Sequence, residues 1–185
     1  MDCHLVYKRW VRQQLGSTPG CGKKQALGTR QKTMSFAFAA EATLGKLAKW
    51  LRMIGFDTIY APENSAEALA GPNGKPRICL TRTRQVSDPD NSPMRVLVVP
   101  DNPYEQLKEV IGAVGIVPED LKPFSRCIRC NILIQQIDKA HVQGLVPDHI
   151  LETHHIFRTC TGCGRIYWPG THTERSREVI KKLFE

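Results

Sequence analysis

Two closely spaced pairs of cysteines restrict the folds open to this chain more than any other feature of its sequence. The four residues are Cys127, Cys130, Cys160 and Cys163. Two C-x-x-C knuckles separated by residues 131–159 are typical of a tetrathiolate zinc site. Asn131 and Gly164 follow the two pairs, and both residue types tolerate the positive φ that we expect at the end of each knuckle.

Four thiolates complete the tetrahedral coordination of Zn²⁺, so we predict a structural ion with no open position for catalysis. The alternative is a pair of disulfides or a redox dithiol. We favour zinc because the amino-terminal residues hold no apolar run typical of a secretion signal, and disulfides are uncommon inside cells. We therefore expect a cytoplasmic protein. No stretch reaches the roughly 20 apolar residues that cross a bilayer.

Short apolar runs alternate with helical patterns over the first two thirds of the chain. We predict strands at 35–39, 57–60, 77–81 and 95–99, and helices at 43–55, 65–71 and 103–115. Apolar strands joined by helices indicate an α/β fold, a buried parallel sheet flanked by helices. After the cysteines begin, we predict a mostly β module with a strand at 165–168 and a closing helix at 173–184.

The chain divides into three segments. Residues 34–122 form the α/β domain, and 123–185 form a small β-rich zinc ribbon with a C-terminal helix. Residues 1–33 carry seven Lys or Arg and one Asp without a helical or strand period, so we expect a basic, disordered extension. Met34 is then a candidate translation start. The alternative is a basic arm that binds phosphates.

Acidic residues fall where the predicted strands end. Glu41 follows the first strand and Asp101 the fourth, while Glu67 lies on the helix predicted before the third. Parallel α/β sheets bind ligands at the carboxyl ends of their strands, so these three carboxylates are candidate catalytic residues. Together they would hold Mg²⁺ or Mn²⁺, which activates water and clamps a phosphate. Asp57 begins the second strand, at the opposite edge, and is excluded.

The motifs as a set resemble a known family. They are AAEATLGKLAKWLRMIGFDTIY, RICLTRTR, SRCIRCN, LVP and CTGCGRIYWPGTH, and in this order they span residues 34–172. They are similar to the Mut-7-C RNase family, which resembles PIN-type nucleases with a zinc ribbon appended. The resemblance implies a PIN-like fold, metal-dependent hydrolysis of RNA phosphodiesters and a ribbon that follows the catalytic domain.

This chain departs from the family pattern at two of the acidic positions. Glu41 stands where the family has Asp, and Thr83, in LTRTR, stands where the family's LTRDR supplies a second Asp. A neutral hydroxyl is a poor replacement for an anionic Mg²⁺ ligand, so we predict a degenerate acidic site. The alternative for Glu41 is that it only caps the first turn of the following helix.

Basic residues near the strand ends are candidate RNA contacts. They are Lys46, Lys49, Arg52, Arg82, Arg84 and His172. The first three would otherwise form only a solvated helix face. The sequence thus leaves three hypotheses: an RNA hydrolase, a non-catalytic RNA-binding protein on the same fold, and a protein-interaction adaptor whose zinc ribbon docks a partner.

Overall fold

The computed structural model describes residues 36–60, 71–72, 76–84 and 94–185. The predicted extension 1–33 and Met34 lie outside the described residues. So does Glu67, with the helix predicted over 65–71, apart from Gly71.

Four parallel strands form the sheet of the first module. The strands are β1 (Ala37–Ala40), β2 (Asp57–Tyr60), β3 (Ile78–Thr81) and β4 (Arg95–Leu97), in the order β2-β1-β3-β4. The two central strands, β1 and β3, are buried along their whole length, which is why they read as continuous apolar runs. The predicted α/β fold with a parallel sheet flanked by helices is confirmed.

Two helices pack with this sheet. A 3₁₀ turn at Ala42–Leu44 leads into α1 (Gly45–Met53), and α2 (Pro103–Val114) follows β4. The Asn102 side chain caps α2 by accepting a hydrogen bond from the Tyr104 amide at 2.8 Å. Both helices bury apolar side chains in one core with the sheet.

The second module is a small antiparallel sheet of β5 (Gln135–Ile137), β6 (Phe157–Thr159) and β7 (Ile166–Tyr167). A 3₁₀ turn at Lys139–His141 and the short helix α3 (Asp148–Thr153) connect β5 to β6. Among the described residues, its own core is limited to three buried side chains and their neighbours; the three are Val142, Val146 and Phe157. A core of this size needs a further source of stability, such as a metal ion.

The last helix, α4 (Thr171–Lys182), returns to the first module. Ile180 and Leu183 belong to the core beneath the parallel sheet, and the Tyr104 hydroxyl donates to the Lys182 carbonyl at 3.2 Å. The boundary near residue 122 stays a prediction, but the C-terminal helix is energetically part of the α/β core.

Gly55 marks the point where the chain after the first module lies against α1. Its φ is +106°, and a Cβ there would stand 2.4 Å from the Lys122 carbonyl oxygen. The Lys122 amide donates to the Ile54 carbonyl at 3.0 Å, and the Phe124 amide donates to Met53 at 2.8 Å. Only glycine allows this close approach.

In the described part of the chain, no helix has the length and apolar character to cross a membrane.

Candidate nucleic-acid interface and cysteine cluster

Glu41 lies directly after β1, with its carboxylate turned toward the end of β3. Its Oε2 accepts hydrogen bonds from the Arg82 amide and the Thr81 hydroxyl, both at 2.7 Å. The Thr83 hydroxyl lies 3.5 Å from Oε1. The Arg82 amide and then the Thr81 hydroxyl hold the pKa of Glu41 below its ordinary value, so the group is a carboxylate at neutral pH.

Glu41 makes no side-chain hydrogen bond of the kind expected from a helix cap, although the residue occupies the N-cap position of the 3₁₀ turn. Its backbone amide instead donates to the Leu80 carbonyl at 3.0 Å, which extends the pairing of β1 with β3. The side chain thus spans from the first strand to the loop after the third.

Asp101 lies at the same edge of the sheet but is engaged by a cation. The Arg82 guanidinium donates to Asp101 Oδ1 at 2.7 Å and to the carbonyls of Val99 and Pro100 at 3.3 and 3.2 Å. The Asp101 side chain is 93 % exposed, whereas that of Arg82 is 33 % exposed. Arg82 therefore contacts both described candidate acids, Glu41 through its amide and Asp101 through its side chain.

Thr83 faces Glu41, as the strand order predicts, but the described acids do not assemble a cation site. Among the described residues, three or more His, Cys, Asp or Glu side chains bring their ligand atoms together only in the cysteine cluster. Glu67, the third predicted acid, is outside the described residues.

An open groove of about 680 Å³ lies beside this edge of the sheet. Its lining includes five basic residues, which are Lys46, Lys49, Arg52, Arg82 and Arg129. Among the described residues of the lining, Asp101 is the one acidic residue, and Arg82 already pairs with it. Four of the six predicted RNA contacts thus share one groove. Arg84 and His172 are exposed but do not line it.

Sequence reasoning missed two groove residues, Arg129 and Tyr60. Arg129 belongs to the first cysteine knuckle, between 47 and 83 residues along the chain from the other basic residues of the groove lining, so no local pattern could place it here. Tyr60 could have been found, since it ends a strand on the carboxyl side of the sheet, where ligands bind.

Arg52 joins the groove to the knuckle. Its guanidinium donates to the Thr58 carbonyl at 2.8 Å and, across the modules, to the carbonyls of Ile128 and Arg129 at 3.0 and 2.9 Å. Burial lowers the pKa of Arg52 below its ordinary value, although the nearby thiols oppose this. The side chain fixes the position of the knuckle, and hence of Arg129, on the groove.

A second polar contact between the modules lies at the amino end of β2. The Asn131 side chain accepts from the buried Thr58 amide at 3.0 Å and donates to Asp57 at 2.7 Å. Arg77 pairs with the same Asp57 carboxylate at 2.7 Å. The Asp57 carboxylate thus bonds the first module to the knuckle through Asn131. It lies at the opposite end of the sheet from the candidate acids.

The four cysteines of the knuckles converge on one point. Their Sγ atoms all lie within 4.8 Å of one another, and those of Cys127 and Cys163 are 3.8 Å apart. Sulfurs about 2.3 Å from a tetrahedral ion are spaced by about 3.8 Å, so the cluster could hold a metal ion. Asn131 and Gly164 adopt φ values of +65° and +68°, as predicted for the knuckle turns.

Neighbouring donors favour the thiolate form of Cys127. The Tyr167 hydroxyl donates to its Sγ at 3.0 Å, and the Cys130 amide lies 3.3 Å from it. Burial raises the pKa of the thiol, but these donors outweigh it and lower the pKa to about 6. A thiolate is the form that binds metal. The hydrogen bond from the Tyr167 hydroxyl therefore stabilises the metal-binding form of Cys127.

A parallel α/β sheet with an acidic residue after its first strand is thus joined to a ribbon whose four cysteines could hold a metal ion. The class of protein is given by a family whose name indicates a ribonuclease-type fold. The family model described as the Mut7-C RNAse domain matches residues 36–180, and the chain belongs to this family. The predicted resemblance is confirmed. Comparisons with curated proteins and with solved structures gave no match.

Proposed function

We propose that this chain binds RNA in the basic groove and that its capacity to hydrolyse RNA is impaired at the acidic site. The groove itself is the observation that supports binding. Five of its described residues are basic, and Arg82 pairs with Asp101, the carboxylate found among them. Such a surface attracts a phosphate backbone and gains affinity by releasing the counterions of that backbone.

Lys46 and Lys49 are the residues most available to phosphate. Both are exposed, and they lie three residues apart on α1, so they project from neighbouring turns of one face. Arg82 has a second role, because an incoming phosphate competes with Asp101 for its guanidinium. The groove thus offers the ammonium groups of Lys46 and Lys49 to phosphate. It also offers the Arg82 guanidinium, which would release Asp101 when it binds a phosphate.

Impaired hydrolysis follows from the contacts of Glu41. Hydrogen bonds from the Arg82 amide and the Thr81 hydroxyl already occupy Oε2 of this carboxylate, so a Mg²⁺ or Mn²⁺ ion has only Oε1 unless it displaces them. Thr83 supplies only a neutral hydroxyl opposite it, whereas these ions prefer carboxylate oxygens. We therefore expect weak binding of the catalytic metal and slow cleavage.

We also propose that the cysteine cluster holds one structural Zn²⁺ per chain. The spacing of Cys127 from Cys163 suits a tetrahedral ion, and four thiolates leave no open position for a reactive water. The ion would stabilise the small second core and, through Arg52, the wall of the groove. The cytoplasmic location stays a prediction.

Anisotropy of a labelled oligoribonucleotide, measured over a range of salt concentrations, tests the binding proposal. The variant Lys46→Gln/Lys49→Gln should weaken binding and make the slope of log K against log[salt] shallower by about 1.4, since each phosphate contact contributes about 0.7 on a single strand. Lys181→Gln/Lys182→Gln is the matched control, with two exposed lysines changed on α4. Equal slopes in the two variants would contradict a binding site in the groove.

One observation favours the adaptor as a second candidate. The ribbon exposes four large apolar side chains, namely Ile132, Leu133, Leu145 and Ile156. Exposed apolar surface is a common mark of protein contacts. The adaptor hypothesis predicts no affinity for RNA even at low salt, so the same titration separates the two functions.

A further inference from the structure

Tyr60 is the aromatic residue among the described residues that line the groove. It is the last residue of β2, at the edge of the parallel sheet, and its backbone pairs with Ala40. Half of the residue, 50 %, is exposed at the end of this edge strand, so the ring is accessible from the groove. It shares the groove lining with Lys46 and Lys49.

The ring of Tyr60 is held at two points. Its hydroxyl donates to the Ala42 carbonyl, in the 3₁₀ turn after β1. Its edge lies against Gly45, where an added Cβ would stand 3.4 Å from Cε2 of the ring. The ring edge thus lies within van der Waals range of the start of α1. Since the ring is already ordered, a ligand that stacks on it pays little conformational entropy.

The ring has no aromatic or cationic partner among the described residues. The ring–ring contacts there join Phe36 and Phe38 to Phe56, and the cation–π contacts involve Tyr104 and Phe124. A ring that only covered the apolar edge of the sheet would lie among apolar side chains. Tyr60 instead borders a basic groove, which favours a role in ligand binding.

We propose that Tyr60 stacks on an unpaired base and so selects single-stranded RNA for the groove. The inference rests on the proposed RNA binding. Lysines on α1 contact the phosphates while the fixed ring takes one base face, the usual combination in proteins that bind single strands. A duplex keeps its base faces inside its own stack and cannot present one to the ring.

The test compares Tyr60→Leu with Tyr104→Leu. Both changes remove a ring whose hydroxyl bonds a backbone carbonyl, but Tyr104 lies outside the groove lining. We expect Tyr60→Leu to weaken binding of single-stranded RNA about 5- to 150-fold, the range for loss of one stacked base. Tyr104→Leu should bind like the wild type. Thermal melts show whether each variant is folded.

A spectroscopic reading reports stacking directly. An oligoribonucleotide with 2-aminopurine at successive positions should show quenched fluorescence at one position in the wild-type complex, and Tyr60→Leu should abolish the quench. The wild type should also prefer the single strand to its duplex. A folded Tyr60→Leu with unchanged affinity, a persistent quench, or equal affinity for duplex overturns the inference and leaves the groove proposal standing. Absence of salt-sensitive RNA binding by the wild type overturns both.

Discussion

The guanidinium of Arg82 pairs with the Asp101 carboxylate at 2.7 Å, at the edge of the sheet where catalytic acids would meet a metal ion. The amide of the same arginine holds Glu41. One residue thus satisfies both described candidate acids, a task that a divalent cation would perform in an intact site. Both carboxylates are therefore paired in a chain that carries Thr83 in place of a further acid.

Thr83→Asp should convert this edge of the sheet into a cation site. The new carboxylate faces Glu41 and repels it, so without metal the variant should melt below the wild type. Mn²⁺ should then raise its melting temperature, since an ion that binds only the folded state stabilises it. Thr171→Asp, at an exposed threonine outside the groove lining, is the control and should not respond to Mn²⁺. Equal responses would count against a metal position at 83.

Removal of the zinc ion that we propose for the ribbon should weaken RNA binding in the groove. Cys160→Ser removes one ligand of the cluster, so zinc content by elemental analysis should fall well below one per chain. RNA affinity should fall as well, because Arg129 lines the groove from the knuckle and Arg52 is bonded to it. Wild type stripped by a chelator should recover both properties when zinc is returned, and Cys160→Ser should not. Full RNA affinity in metal-free protein would contradict this coupling.

The Asp57 contact should make the stability of the chain sensitive to acid. Burial raises the pKa of Asp57, but Arg77 and Asn131 outweigh it and lower the pKa below the ordinary 3.8. The stabilisation is therefore present above pH 3.8 and is lost as pH falls through the lower, folded value. In urea unfolding at pH 6, the free energy of unfolding of the wild type should exceed that of Asp57→Asn. This difference should shrink toward pH 3. A constant difference would show that the carboxylate charge is not involved.

Gly55 and Gly112 should respond in opposite ways to alanine. Gly55→Ala places a Cβ against the Lys122 carbonyl at a φ of +106°, so it should cost at least about 2 kcal/mol of unfolding free energy. Gly112, inside α2, has no atom within 4 Å of an added Cβ, and alanine there should gain about 0.5–1 kcal/mol. Chemical denaturation measures both. A neutral Gly55→Ala would mean that the close approach is not required.

Local pattern was sufficient for much of the fold. The second strand occupies 57–60 as predicted, because the helix before it stops at Gly55 and the run DTIY follows directly. The cysteine cluster also followed from spacing alone, since the ligands of each knuckle are close in the chain. The convergence of position 83 on Glu41 required only the adjacency of β1 and β3.

The contacts between modules could not be read in this way. Arg52 fits a solvated helix face by period, yet its head group lies under carbonyls 76 and 77 residues away. The return of α4 to the first core depends on Ile180, near the end of the helix, and on Leu183, which directly follows it. The pairing of Arg82 with Asp101 likewise depends on tertiary placement, so sequence assigned them separate roles as a phosphate contact and a catalytic acid.

The central claim is that this chain binds RNA at a site whose acidic centre is incomplete. The most direct measurement follows one labelled single-stranded RNA through binding and cleavage by the wild type, with Mg²⁺ or Mn²⁺ present. The account predicts salt-sensitive retention of RNA that stays largely intact. Brisk cleavage that a chelator stops and that Glu41→Ala abolishes would contradict it.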